Sequence, residues 1–206
     1  MVRLPKRAGG EMTSCSAEAE VLALARQGKE EAFLALYERH RDCVFRFAYR
    51  MLGSVQLAED VTHDCFLSLI QKPGLFDPSR SSLRTYLCAA ARNLAYRRMR
   101  RMERETTVEI MPEVEADTQT GPLNQVLTTE LANTVKRAVA SLPPLQREAV
   151  ILFEFEDLSL ADIAAVAETD VGTIKSRLHR ARERLRRLLA PWVESEHHVL
   201  TRGSRL

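Results

Sequence analysis

No apolar run of about 18 residues occurs in this 206-residue chain, so no membrane-spanning helix is expected. The opening stretch, MVRLPKRAGGEMTSC, carries basic side chains but lacks the apolar centre of a secretory leader. The expected location is therefore the cytoplasm. Met12 stands as an alternative start to Met1, because little before it reads as structural. There are four cysteines, at 15, 43, 65 and 88. None forms a CxxC pair, and none stands at zinc-finger spacing from a histidine, so no metal or cofactor is expected. His63, Asp64 and Cys65 are adjacent, and adjacent residues point different ways round a helix. His197 and His198 fall in a polar tail. Period-2 alternation is missing throughout, which leaves an all-α fold as the expectation. A net charge of +2 excludes a polycation. The charge is unevenly spread, however, and its distribution is more informative than its sum.

The most informative stretch runs from Ser141 to Leu189. Ser159 and Asp162 make a capping box, with Leu158 and Ile163 placed as a hydrophobic staple. They open a short apolar helix from Leu160 to Ala167. A turn at 168–170 follows, and Asp170 is suited to cap the next helix, expected over 171–189. Ile174, Leu178, Ala181, Leu185 and Leu188 lie on one face of that helix. The other faces carry Lys175, Arg177, Arg180, Arg182, Arg184, Arg186 and Arg187 against the single acid Glu183. A short helix, a tight turn and a basic second helix make a helix-turn-helix pattern. Thr173, Lys175, Ser176, Arg177, His179 and Arg180 are then the side chains nearest DNA bases and phosphates.

Upstream, residues 1–15 read as a disordered terminus. Ser16 is placed to cap a first helix that ends at Gly28. A second apolar series runs from Phe33 to Met51 and stops near Gly53. Ser54 caps a third, which turns Leu57, Val61, Cys65 and Leu69 inward and sets Asp60, His63 and Asp64 on another face. Two prolines break the loop 72–78. A fourth helix then opens at Ser81 or Ser82 and runs into the cluster Arg97, Arg98, Arg100, Arg101. In 103–117, six acids face Arg104 alone and apolar spacing is lost, the composition of a flexible or extended linker. Helical pattern returns at Val126, and Pro143-Pro144 starts the next helix, where a missing N–H is harmless. The expected layout is a helical domain over 16–102, a linker over 103–122, a four-helix domain over 123–190 and a polar tail over 191–206.

Two such domains in this order resemble the extracytoplasmic-function (ECF) sigma factors of the sigma-70 family. The resemblance rests on Glu30-Glu31-Ala32-Phe33 with Leu36-Tyr37, on Ala58 to Phe66, on Phe76-Asp77-Pro78 and on Ala91 to Ala95. In the second domain it rests on Leu142 to Arg147, Asp162-Ile163-Ala164 and Val171 to Leu178 followed by Arg180-Ala181-Arg182. It implies an all-α protein of sigma region 2 and sigma region 4, the latter with the helix-turn-helix, joined by an acidic flexible linker. Four positions depart from the family pattern: His63 replaces a usual Gln, Tyr86 a Trp, Arg97 an Asp, and Glu168 a Gly in the turn.

By resemblance the partners are core RNA polymerase, promoter DNA and an anti-sigma factor. The resemblance also implies that no enzymatic activity is expected. Asp60, His63 and Asp64 would contact the polymerase. Arg80, Ser82, Arg84, Arg92, Asn93, Arg97 and Arg100 would hold the melted minus-ten strand, assisted by Arg98 and Arg101. The helix from Val171 would read the minus-thirty-five element. Loop 72–82 would supply a pocket for a flipped base, and the acidic linker would lie in a basic channel built for RNA. Three other readings stay open on the residues alone: a freestanding dimeric regulator, a serine recombinase, and a polymerase-binding adaptor that does not drive transcription.

Overall fold

The computed structural model describes residues 12–72, 76–78, 80–105 and 124–202. Eight α-helices make up the described chain, and no strand is found among these residues. The first domain comprises α1 (Met12–Arg26), α2 (Glu30–Leu52), α3 (Val55–Gln71) and α4 (Leu83–Glu105). The second comprises α5 (Asn124–Ala140), α6 (Pro144–Val150), α7 (Leu160–Val166) and α8 (Val171–Arg202). Most of the linker, at 106–122, lies outside the described residues, and so does the role in an RNA channel expected of it.

Local chemistry sets most boundaries. Ser54 Oγ accepts from the Leu57 N–H at 3.4 Å, and Ser82 Oγ accepts from the Thr85 N–H at 3.1 Å. Gly28 and Gly53 end α1 and α2 with φ of 83° and 73°, the left-handed geometry glycine adopts without a Cβ clash. Three boundaries differ from expectation. Helix α1 begins at Met12, so Ser16 lies inside it and part of the segment expected to be disordered is helical. Helix α4 continues to Glu105, past the expected end of its domain at 102. Helix α8 passes through Pro191 to Arg202, where a polar tail was expected. A proline inside a helix removes one donor and crowds the carbonyl four residues earlier, at a cost of about 3 kcal/mol.

Helix α2 is the axis of the first domain and packs on α1, α3 and α4. Phe47, Met51, Phe66, Leu69, Leu83 and Leu87 are fully buried there. Burying each of these side chains contributes about 1.5–3 kcal/mol. Tyr37 meets the Phe66 ring edge-on at 4.8 Å. His40 is buried and its Nε2 lies 2.6 Å from Glu18 Oε1, which ties α1 to α2. Burial pushes the His40 pKa below its ordinary value, and Glu18 opposes that shift. Cys43 and Cys88 touch across α2 and α4 at 3.7 Å between sulfurs, and Cys65 is buried in α3.

In the second domain α6 widens at its end into a π-helical segment, Ile151–Phe155. The Glu156 N–H donates to Ile151 O at 3.1 Å, five residues back. Asp157 then takes φ 50° and turns the chain toward α7. Ile163, Ile174, Leu178 and Ala181 form the core between α7 and α8. Leu188 was expected on this seam but is exposed, as are Leu131 and Leu145.

The two domains pack together: α5, α6 and the π segment lie against α2, and α7 lies against α4. Arg147 fastens this junction. Its guanidinium donates to Met51 O at 2.8 Å, to Leu142 O at 3.1 Å and to Ala140 O. It thereby satisfies carbonyls at the C-terminal ends of α2 and α5, where a cation suits the helix dipole. Arg147→Ala is expected to lower stability by about 2–3 kcal/mol, the range for losing charged hydrogen bonds to groups left without a partner. Urea unfolding checks this, and an unchanged midpoint would show that the carbonyls find other donors.

Candidate nucleic-acid interface

The turn between α7 and α8 is built as its sequence suggests. Ser159 Oγ accepts from the Asp162 N–H at 3.1 Å and its hydroxyl donates to the Asp162 carboxylate. Asp170 Oδ1 accepts from the Thr173 N–H at 2.8 Å, and Oδ2 accepts from Thr173 Oγ1 at 2.6 Å. These bonds hold the Asp170 carboxyl pKa below its ordinary value. Glu168 stands at φ 51°, in the left-handed region that favours glycine. A non-glycine residue there costs roughly 1 kcal/mol.

The side chains expected to meet DNA on α8 divide into two groups. Lys175, His179 and Arg180 are exposed on one face of the first three turns. Ser176 is exposed too, but its hydroxyl donates to Gly172 O at 3.0 Å. Thr173 is occupied by the Asp170 cap. Arg177 is half-buried, and its Nη1 is buried without a hydrogen-bond partner. It therefore faces the protein rather than the solvent side where Lys175 and Arg180 stand. Farther along, Arg182 bonds Glu154 at 2.8 Å and stacks on Phe153 at 5.3 Å.

The minus-ten candidates of the first domain are also divided. Arg92, Asn93, Arg97 and Arg100 line one cleft of about 340 Å³ together with Tyr96 and, from the second domain, Leu145. Asn93, Arg97 and Arg100 are exposed, as is Arg80. Ser82, expected to touch DNA, is the cap of α4, and its hydroxyl pairs with Thr85 Oγ1 at 2.8 Å. Thr85 in turn donates to Asp162 Oδ1 at 3.3 Å, which joins α4 to the helix-turn-helix. Phe76 is buried and packs on Tyr86 at 5.2 Å. Residues 73–75 and 79 of the expected flipped-base loop lie outside the described residues.

Arg84 and Arg92 are held by carboxylates of the second domain. Arg92 Nε donates to Glu148 Oε1 at 2.8 Å, and Tyr96 Oη donates to Glu148 Oε2 at 2.7 Å. Burial and then Glu148 push the Tyr96 pKa upward, so the phenol stays a donor. Arg84 donates to Glu156 O, and its Nη2 lies 3.8 Å from Glu156 Oε2. Glu148 is 1% exposed and Glu156 0%. Acids are seldom buried so completely unless paired, and here the pairings cross between domains. Nothing in the local pattern of 148–156 marks these two acids, because their partners lie 52 to 110 residues away.

On α3, Asp60 and His63 are exposed and Asp64 is half-buried. Arg98 joins the two acids, 3.2 Å from Asp64 and 3.7 Å from Asp60. Among the described residues no group of three His, Cys, Asp or Glu side chains is placed to hold a metal. No helix there is long and apolar enough to cross a membrane.

The family model for sigma-70 region 2 matches residues 36–105, and that for sigma-70 region 4 matches 132–185. The ECF RNA polymerase sigma factor SigW of Bacillus subtilis is 30% identical over 174 residues, covering 80% of this chain and 92% of that protein. The RNA polymerase sigma-H factor of Pseudomonas aeruginosa is 30% identical over 181 residues, 84% of this chain and 93% of that one. Among solved structures, the sigma factor RpoE in complex with the anti-sigma factor NepR from Bartonella quintana is 31% identical with a TM-score of 0.64, covering 77% of this chain and 96% of that chain. CnrH in complex with the cytosolic domain of CnrY is 26% identical with a TM-score of 0.62, covering 85% of this chain and 98% of that chain.

Proposed function

Because this chain belongs to the ECF sigma factors and directs transcription initiation, we propose that it binds core RNA polymerase and recognises minus-ten and minus-thirty-five promoter elements. Its relatives are sigma factors, regulators that bind DNA rather than enzymes. Region 2, over 16–102, docks on polymerase through Asp60, His63 and Asp64 of α3. It receives the melted minus-ten strand along α4, with Asn93, Arg97 and Arg100 at the cleft and Arg80 at its approach. Region 4, over 123–190, presents Lys175, His179 and Arg180 to the minus-thirty-five major groove. An anti-sigma factor is the third partner, as it is for RpoE in its complex with NepR.

One observation carries this reading: two helical domains each expose a separate cationic face, one beside an Asn-containing cleft and one on a capped helix-turn-helix. A single face would serve an ordinary repressor. Two faces on tethered domains suit two promoter elements held apart on a larger enzyme.

Run-off transcription with purified core polymerase and genomic DNA tests it. Discrete transcripts that depend on the added chain are expected. Footprinting of duplex DNA by the chain alone, with no polymerase-dependent transcript, would favour a freestanding regulator. Polymerase binding without transcripts would favour an adaptor.

A further inference from the structure

Three guanidiniums converge on the Glu156 carboxylate. Arg46 forks onto it, Nη2 to Oε2 at 2.9 Å and Nε to Oε1 at 3.3 Å. Arg50 Nη1 donates to Oε1 at 3.3 Å, and Arg84 lies 3.8 Å from Oε2. The three arginines belong to α2 and α4 of region 2, whereas the acid arrives just after the π segment of region 4. Arg46 and Arg84 keep 45% and 38% of their side-chain surface exposed with the acid in place. One carboxylate does not neutralise three cations, so the cradle can take more negative charge than its occupant supplies. Bidentate arginine geometry suits a phosphate as well as a carboxylate.

Phe155 adds a second feature. Its ring lies 4.4 Å from the Arg50 guanidinium. Side by side, Phe155 and Glu156 show Arg46 and Arg50 a flat aromatic face next to an anion. A nucleotide of a single strand offers the same pair of features. Eight residues along α4 from Arg84, about 12 Å at the rise of a helix, Glu148 holds Arg92 beside the Asn93 cleft in the same way. Region 4 thus covers two cationic spots on one run of region 2.

We propose that Arg46, Arg50 and Arg84 form a phosphate-binding site for the single-stranded promoter, and that Glu156 occupies this site in the free chain. Arg46 and Arg50 lie on α2, away from the minus-ten residues of α4, and extend the path of the strand across the helix pair. The site rests on the sigma-factor reading but is tested apart from it. Strand and region 4 compete for it, so release of region 4 and capture of the strand are one exchange.

The test measures binding of fluorescein-labelled 15-nucleotide oligothymidylate to the full chain by anisotropy. Glu156→Gln is expected to bind about 5-fold tighter or more than wild type, within the usual range of coupling between two sites. Adding Arg46→Ala and Arg50→Ala to that variant should return affinity to the wild-type level or below. The same pair should lower the salt slope by about 0.7, the value for one phosphate no longer neutralised. A measurement on wild type avoids any folding defect of the variants: saturating oligonucleotide should speed hydrogen exchange over residues 151–158 as region 4 leaves. Unaltered exchange at saturation, no gain for Glu156→Gln, or no loss from the arginine pair each overturns the site. If polymerase-dependent transcription persists in that event, the sigma-factor reading stands; if transcription also fails, that reading falls with it.

Discussion

Replacing Asp60 and Asp64 together by arginine is expected to reduce polymerase binding by about 100-fold or more, close to 3 kcal/mol. Both carboxylates lie on one side of α3, one turn apart, with exposed His63 beside them. Arg98 sits within ion-pair distance of both and still leaves them substantially exposed. The effect on folding should be small, because an exposed pair contributes about 0–1 kcal/mol and the core of α3 is carried by Val61, Cys65, Phe66 and Leu69. Reversal changes the interface far more: two attractive contacts become repulsive, and like charges across an interface cost several kcal/mol. Capture on immobilised core polymerase at fixed salt measures the loss, with thermal unfolding as the check on folding. Retention within twofold of wild type would remove α3 from the polymerase contact. Transcription should fall in parallel, while oligothymidylate binding, which uses α2 and α4, should not.

What was legible in the sequence is local chemistry. The caps at Ser54, Ser159 and Asp170 and the glycine stops at Gly28 and Gly53 each depend on a few neighbouring residues. All-α architecture and two domains follow from apolar spacing, which survives as the buried series Val61, Cys65, Leu69 and Ile174, Leu178, Ala181. The side chains at Asp60, Lys175 and Arg180 are exposed on the faces where helical periodicity set them, and Asn93 and Arg100, singled out by resemblance, are exposed as well. Residues whose roles depend on distant partners could not be read this way. Arg84 and Arg92 have the same local pattern as Arg97 and Arg100, yet acids from the other domain pair with the first two, whereas Arg97 and Arg100 stand exposed at the cleft that Arg92 also lines. Arg177 looks like Lys175 in sequence but lies a different way round the helix, with part of its guanidinium buried. The π segment is equally invisible, since Ile151–Phe155 continues an apolar helical pattern without any breaker. Its wider turn comes just before Glu156, the acid that crosses to region 2.

This division of the α8 side chains sets up the second large effect. Lys175→Ala and Arg180→Ala are each expected to weaken recognition of the minus-thirty-five element by about 1–3 kcal/mol, roughly 5- to 150-fold. Arg177→Ala should weaken it much less and should alter folding stability instead, because the residue is half-buried and one nitrogen of its guanidinium is fully so. Thr173→Ala and Ser176→Ala separate in the same manner. Thr173 loses a bond to the Asp170 cap, whereas Ser176 loses only a bond within its own helix. Salt dependence then assigns roles. A residue that binds phosphate lowers the slope of log K against log salt by about 0.9 when removed and weakens all sequences alike. A residue that reads a base leaves the slope nearly unchanged and relaxes preference at one position. Measured on the polymerase-bound chain with a fixed promoter, equal losses for Arg177 and Arg180 would contradict the inward placement of Arg177. No loss for either Lys175 or Arg180 would take the DNA contact away from this face of α8 altogether.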